Sequence, residues 1–187
     1  MPSVDIKKLA NEVDPVTLAI VTTNHPIKDD VYEYCCEKLV SFWDPETRNM
    51  HLLNPRCHDP LHNLLDRARN DGFNPVILSA FRGMEEQKAR FEFITRQLWE
   101  NPAICDTTHG LPSRPGHTEH HLGTAVDIYS PDLGFGKWLI INSYKFGFIH
   151  SQPYNLQHLR FIGETLATRY MREDTIPPDE SPIFDAR

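Results

Sequence analysis

Apolar positions along the chain switch between a helical and a strand period, and the switches outline the predicted elements. Val16-Thr17-Leu18-Ala19-Ile20-Val21 is rich in β-branched residues and predicts an early strand. The polar stretch Asn24 to Asp30 predicts a loop. Leu61, Leu64, Leu65 and Ala68 fall on one face of a helix, with Asp59 as N-cap, Pro60 at the first helical position and Gly72 at the end. Pro75 to Ala80 predicts a core strand that delivers Arg82 to its end, and a second helix runs from about Met84 to Glu100, stopped by Asn101-Pro102. Cys105 to Gly116 carries Gly110, Pro112, Pro115 and Gly116 and predicts a loop. Strand character returns over Thr124 to Tyr129, with Ala125, Asp127 and Tyr129 on one face and Val126 and Ile128 on the other. Lys137 to Phe146 predicts a helix ended by Gly147. Phe148-Ile149-His150 and Leu159-Arg160-Phe161-Ile162 predict short strands, and Glu164 to Met171 a last helix.

Mixed helices and short strands predict an α+β fold in one domain spanning residues 1–187. Its core covers about 16–170, and the proline-bearing tail 172–187 is extended. The expected architecture is a small antiparallel-rich central sheet with helices 60–71 and 84–100 packed on one side. No internal repeat or low-complexity segment interrupts it.

Composition narrows the classes of function. The 187 residues suit one domain with a sizeable core, and 40% hydrophobic with 24% charged residues is an ordinary globular balance. A net charge of -7 without a basic stripe argues against a nucleic-acid partner. No apolar run is long enough to span a membrane, and Met1 to Asp14 shows no signal-peptide core. The expected location is the cytoplasm as the chain is written, or an extracytoplasmic site if a leader has been removed. Cys35, Cys36, Cys57 and Cys105 form no C-x-x-C pair and are read as buried reduced thiols. A Cys57–Cys105 or Cys36–Cys57 bridge fits only an oxidising compartment.

The candidate chemistry lies in two segments. His120 and Asp127 stand seven positions apart within Thr118-Glu119-His120-His121-Leu122-Gly123-Thr124-Ala125-Val126-Asp127, and His158 follows in a later strand. Two imidazoles and a carboxylate suit a catalytic zinc that keeps one position open for water. Other pairs are weaker. His58 and His62 are four apart, but a helix beginning after His58 need not put them on one face. Gly116 and Gly123 argue against a helix that would join His117 to His121. His25, His51, His109 and His150 have no partner pattern.

Thr118 to Asp127 resembles the S/T-x-H-x-x-G-x-A-x-D signature of the VanY/VanX-type D-alanyl-D-alanine carboxypeptidases and dipeptidases, zinc D,D-peptidases. Leu78 to Gln87 resembles that family's S-G-Y-R-S-x-x-x-Q segment. Trp138 to Ile149 is similar to its W-L-x-x-x-A-x-x-Y-G-F element, and Tyr154 to Gly163 lines up with its E-P-W-H-x-R-Y-x-G block. The resemblance implies that His120, Asp127 and His158 hold Zn2+. It also implies that Arg82 stabilises the oxyanion, that Thr118 offers a substrate-contacting hydroxyl, and that Gln87 serves the substrate site by bracing it from the following helix. The implied partner is a peptidoglycan-derived stem peptide or free D-Ala-D-Ala.

One position departs from the family. Its E-x-x-H glutamate, the general base, is Asn155 here, and an amide cannot take up a proton at useful pH. Three readings stay open from sequence. Glu119, Glu164 or His121 serves as base; or the chain is a catalytically impaired zinc protein that binds a peptide or cell-wall fragment; or Asn155 is an engineered change. Leu156 and Gln157 also depart from the pattern, which fits the last reading poorly.

Overall fold

A computed structural model of the chain describes residues 16, 19, 21–22, 24–100, 112–152 and 155–173. Of the expected first strand only Val16, Ala19 and Val21 are described, and none of them is in a strand. Most of the 105–116 loop and the tail beyond Glu173 lie outside these residues, while 172–173 continue the last helix instead of being extended.

The structure is built on a four-stranded antiparallel sheet. Its strands are β3 (Val76–Ser79), β4 (Ala125–Tyr129), β5 (Phe148–Ile149) and β6 (His158–Phe161), in the order β3-β4-β6-β5. A separate antiparallel hairpin pairs β1 (Val40–Asp44) with β2 (Asn49–Leu53). Helices α1 (Asp29–Lys38), α2 (Pro55–Asn70), α3 (Met84–Glu100), α4 (Phe135–Asn142) and α5 (Glu164–Glu173) surround them. Single turns of 3-10 helix occupy Glu119–Leu122 and Ser143–Phe146. The molecule is thus the expected α+β domain of helices and small antiparallel sheets.

The strand β4 alternates as its sequence dictates. Val126 and Ile128 are fully buried in the main core, while Asp127 is turned to the opposite face. Against the core face lies α2, whose Leu61, Leu64, Leu65 and Ala68 are buried with Leu53, Phe42 and Phe148. Burying each such leucine contributes roughly 1.5–3 kcal/mol.

The helix α2 starts earlier than the Asp59-Pro60 signature predicts. Asn54 is its N-cap, accepting from the Arg56 N–H at 3.1 Å, and Pro55 takes the first position. Pro60 lies inside the helix and gives up one intrahelical hydrogen bond. Asn54 wins because its backbone N–H also reaches Gly123 O at 2.9 Å, tying the helix start to the candidate site. Gly123, at φ 68°, permits that approach: a Cβ there would lie 2.8 Å from Leu39 Cδ2 and 3.0 Å from Asn54 N.

The two expected flanking helices differ in what they bury. Whereas α2 presents an apolar stripe, Gln87 is the one buried side chain of α3. The helix α1 and the β1–β2 hairpin are additional to the elements the sequence pattern predicts. Cys35 and Cys57 are buried thiols as expected, but Cys36 is an exposed thiol, and no bridge joins Cys36 to Cys57.

Candidate active site

Strand register places the central residues. Ser79 of β3, Asp127 of β4 and His158 of β6 are successive cross-strand partners, so all three fall in one row. His120 reaches that row from the turn Glu119–Leu122. The turn is held by Thr118, whose hydroxyl oxygen accepts from the His120 N–H at 3.3 Å. The glycines flanking this segment do not prevent the turn. Gly123, in the left-handed region, ends it.

The turn is tied to the segment after β3. His120 Nδ1 lies 2.6 Å from Ala80 O, His121 Nδ1 lies 2.6 Å from Arg82 O, and the Arg82 N–H donates to His120 O at 3.2 Å. A carbonyl only accepts, so both imidazoles carry their proton on Nδ1. That leaves His120 Nε2 facing Asp127 Oδ2 at 3.2 Å and lets His121 Nε2 accept from the Gly116 N–H at 3.0 Å. Burial holds both rings below the usual histidine range.

Asp127 stands between the two candidate ligands. Its Oδ1 lies 2.9 Å from His158 Nδ1. Burial alone would raise its pKa, but the flanking imidazoles outweigh that and hold it far below the carboxylate range. One donor atom from each of His120, Asp127 and His158 can be chosen so that all three lie within 4.8 Å of one another. This is the one such group of three among the described residues. Two imidazoles and one carboxylate suit zinc, and the fit extends outward. The Ala80 carbonyl fixes the tautomer of His120, and Glu119 Oε2 accepts from His158 Nε2 at 2.9 Å.

Glu119 is fully engaged in this support. Its Oε1 accepts from Arg160 Nη1 at 2.7 Å, and its Oε2 accepts from Ser151 Oγ as well as from His158. Burial works against its charge, yet Arg160 and His158 hold its pKa down to about 2. His158 is the reverse case. Burial opposes its proton, and the carboxylates of Asp127 and Glu119 raise it to about 9. Glu119, a candidate base from sequence, is thus a support for His158, and Arg160 is its unexpected partner. The signal was present, since Arg160 follows His158 by two positions on a strand buried at every residue.

The site opens into a cleft of about 200 Å³. Its floor is His120, Asp127 and His158, one wall is Arg82 with Gln87, Arg90 and Ile94 of α3, and the other includes Pro112, Ser113 and Thr118. Arg82 is 6% exposed and held rigidly: Nη1 donates to Gln87 Oε1 at 2.6 Å and Nη2 to Ser79 Oγ at 2.8 Å, with Nη2 3.8 Å from Asp127 Oδ2. Gln87 also donates from Nε2 to Ser113 O, so it ties α3 to the opposite wall.

Asn155 and Gln152 complete the lining, and Asn155 is committed locally. Its Oδ1 accepts from the Gln157 N–H at 3.2 Å, and its carbonyl from the His158 N–H at 3.1 Å. None of the substitute bases considered from sequence lines the cleft. Glu119 is spent on its partners, His121 has both ring nitrogens engaged, and Glu164 is exposed at the start of α5. Asp127 is the one carboxylate of the lining among the described residues. The alternative metal pair is also resolved, because His58 pairs with Asp59 and His62 with Asp66 on the surface of α2.

A buried two-histidine, one-carboxylate cluster beside a fixed arginine defines a metallopeptidase-like site, and comparison with known proteins places it. The family model of VanY, D-alanyl-D-alanine carboxypeptidase, matches residues 50–171, and the chain belongs to that family. The D-alanyl-D-alanine carboxypeptidase of Enterococcus faecalis (strain ATCC 700802 / V583) is 32% identical over 143 residues, 65% of this chain and 52% of that protein. The chain spans about half the length of the sequence relatives it matches. VanYB in complex with D-alanine-D-alanine superposes with a TM-score of 0.66 at 26% identity, covering 84% of this chain and 93% of that one. A mutant of the vancomycin resistance D,D-pentapeptidase VanY, solved with Zn(II), shares the fold at TM-score 0.70 and 24% identity, covering 85% and 95%. No helix among the described residues is long and apolar enough to cross a membrane.

Proposed function

We propose that the chain is a zinc-dependent D,D-peptidase acting on peptides that end in D-Ala-D-Ala, with His120, Asp127 and His158 as the metal ligands. The observation that carries this reading is the register row that sets Asp127 beside His158, with His120 Nε2 turned onto the same carboxylate. Zinc bound there supplies Lewis acidity and a water of lowered pKa.

The remaining roles follow from the side chains. Two donors of Arg82 are used by Gln87 and Ser79, so its other N–H groups can meet an oxyanion without rearrangement. The Thr118 oxygen accepts from a backbone N–H, which leaves its own proton to donate to a substrate carbonyl or carboxylate. Gln87 acts through Arg82 and the loop wall. Asn155 lines the cleft where the family keeps a glutamate, and it can orient a water but not take its proton. Without a proton acceptor at that position, turnover is expected to be slower by roughly a hundred- to ten-thousand-fold, the usual cost of losing a positioned base.

The same residue favours a second reading, in which the zinc-loaded chain binds the peptide without cutting it. The Asn155 amide is turned to Gln157, and among the described residues no second carboxylate lines the cleft. Mass spectrometry of a stem pentapeptide incubated with zinc-loaded protein separates the two. Loss of one D-Ala is expected from a carboxypeptidase and release of the dipeptide from an endopeptidase. A pentapeptide unchanged after prolonged incubation, yet bound, would establish the second reading.

A further inference from the structure

Arg90 is a cation of the cleft lining that has no counter-ion among the described residues. Gln87, Arg90 and Ile94 stand at i, i+3 and i+7 on α3, one face of the helix, and all three line the cleft. Gln87 is pinned to Arg82 and Ser113, so this face is fixed at its inner end. The charge of Arg90 reaches the inner site: burial lowers the Arg82 pKa most, and repulsion from Arg90 adds to it. Among the described residues Arg90 forms no ion pair. Glu86 precedes it by one turn but is exposed and outside the lining, and Asp127 is taken up by the two imidazoles.

We propose that Arg90 anchors the free C-terminal carboxylate of the peptide and so makes the cleft select chain ends over internal bonds. This rests on the peptidase reading above. A helix rises about 1.5 Å per residue, so Arg90 sits roughly 4.5 Å along α3 from Gln87. One extended residue spans at most about 3.6 Å. With the scissile carbonyl at Arg82, the carboxylate of a single leaving residue therefore falls beside the next side chain outward, which is Arg90. An arginine suits that place because its planar fork meets a carboxylate with two parallel hydrogen bonds.

The test is calorimetric titration of the zinc-loaded protein with N-acetyl-D-Ala-D-Ala and with the C-terminal amide of the same peptide. Wild type is expected to prefer the acid by about tenfold, the size of one lost charge-assisted hydrogen bond. Arg90→Gln should erase the preference by weakening the acid alone, with zinc content and amide affinity unchanged, and Arg90→Lys should restore part of it. Where turnover is measured, KM should rise and kcat should hold. A preference that survives Arg90→Gln would overturn the assignment, as would a wild type that binds acid and amide equally; in both cases the peptidase reading stands. A wild type that binds neither peptide would overturn both.

Discussion

The floor and the α3 wall of one cleft are built on opposite terms. The floor lies on the sheet, where Asp127, His158 and Ser79 share a register row, every ring nitrogen of His121 and His158 has a partner, and His120 is fixed through Nδ1 with Nε2 facing Asp127. The wall is a seventeen-residue helix that buries Gln87 alone and exposes Phe93 and Trp99, the latter at 84%. Groups that must hold one geometry sit where packing and hydrogen bonds over-determine them. Groups that meet the variable part of a ligand sit on an element the core does not depend on, where substitution costs little stability.

The contrast can be tested from its largest effect downward. Asn155→Glu restores the missing acid-base group and is expected to raise kcat by roughly a hundred- to ten-thousand-fold, read as D-alanine release from an acyl-D-Ala-D-Ala peptide. No gain would mean that the cleft has lost more than its base.

Zinc affinity should also depend strongly on pH. His158 without metal holds its proton up to about 9, and that proton must leave before Nδ1 can ligate. Affinity should therefore rise about tenfold per pH unit below 9 and level off above it. A chelator-competition titration that is flat between pH 6 and 8 would show that His158 is not a ligand.

Glu119→Gln keeps the shape of the support but removes its charge from His158 and Arg160. It should weaken zinc binding about ten- to a hundred-fold without changing the circular dichroism spectrum. Unchanged affinity would reduce Glu119 to packing.

Stability provides the smallest effects and the control. Leu64→Ala in the main core should cost about 2–5 kcal/mol in urea unfolding, and Trp99→Ser on α3 should stay within about 0.5 kcal/mol. Similar losses at both positions would remove the distinction between floor and wall.

How much of this was legible in the sequence follows from the same contrast. The bounds of α3 and the strand β4 with Asp127 facing away from the core follow from short-range pattern, whereas the grouping of His158 with His120 and Asp127 came from the resemblance to the zinc D,D-peptidases and not from spacing. The β1–β2 hairpin did not show itself because its polarity is inverted. Phe42 and Asp44 point inward while Trp43, Met50 and Leu52 are exposed, so alternation of apolar and polar residues gives no consistent face. Asp44 is tolerated inside because its Oδ2 accepts from the Ile77 N–H at 3.0 Å and from Thr47 Oγ1 at 2.9 Å. These contacts between distant segments carry no local signal. The role of Glu119 was hidden for the same reason, since it depends on Arg160, forty-one positions away. The start of α2 was misplaced because two asparagine- or aspartate-proline pairs compete there, and only tertiary contact with Gly123 chooses between them.

The central claim is that His120, Asp127 and His158 together hold one zinc ion. It is tested most directly by elemental mass spectrometry of protein purified without an affinity tag and loaded with zinc, compared with its His120→Ala variant. One zinc per chain in the wild type and none in the folded variant is the expected result. Stoichiometric zinc retained by His120→Ala would contradict it.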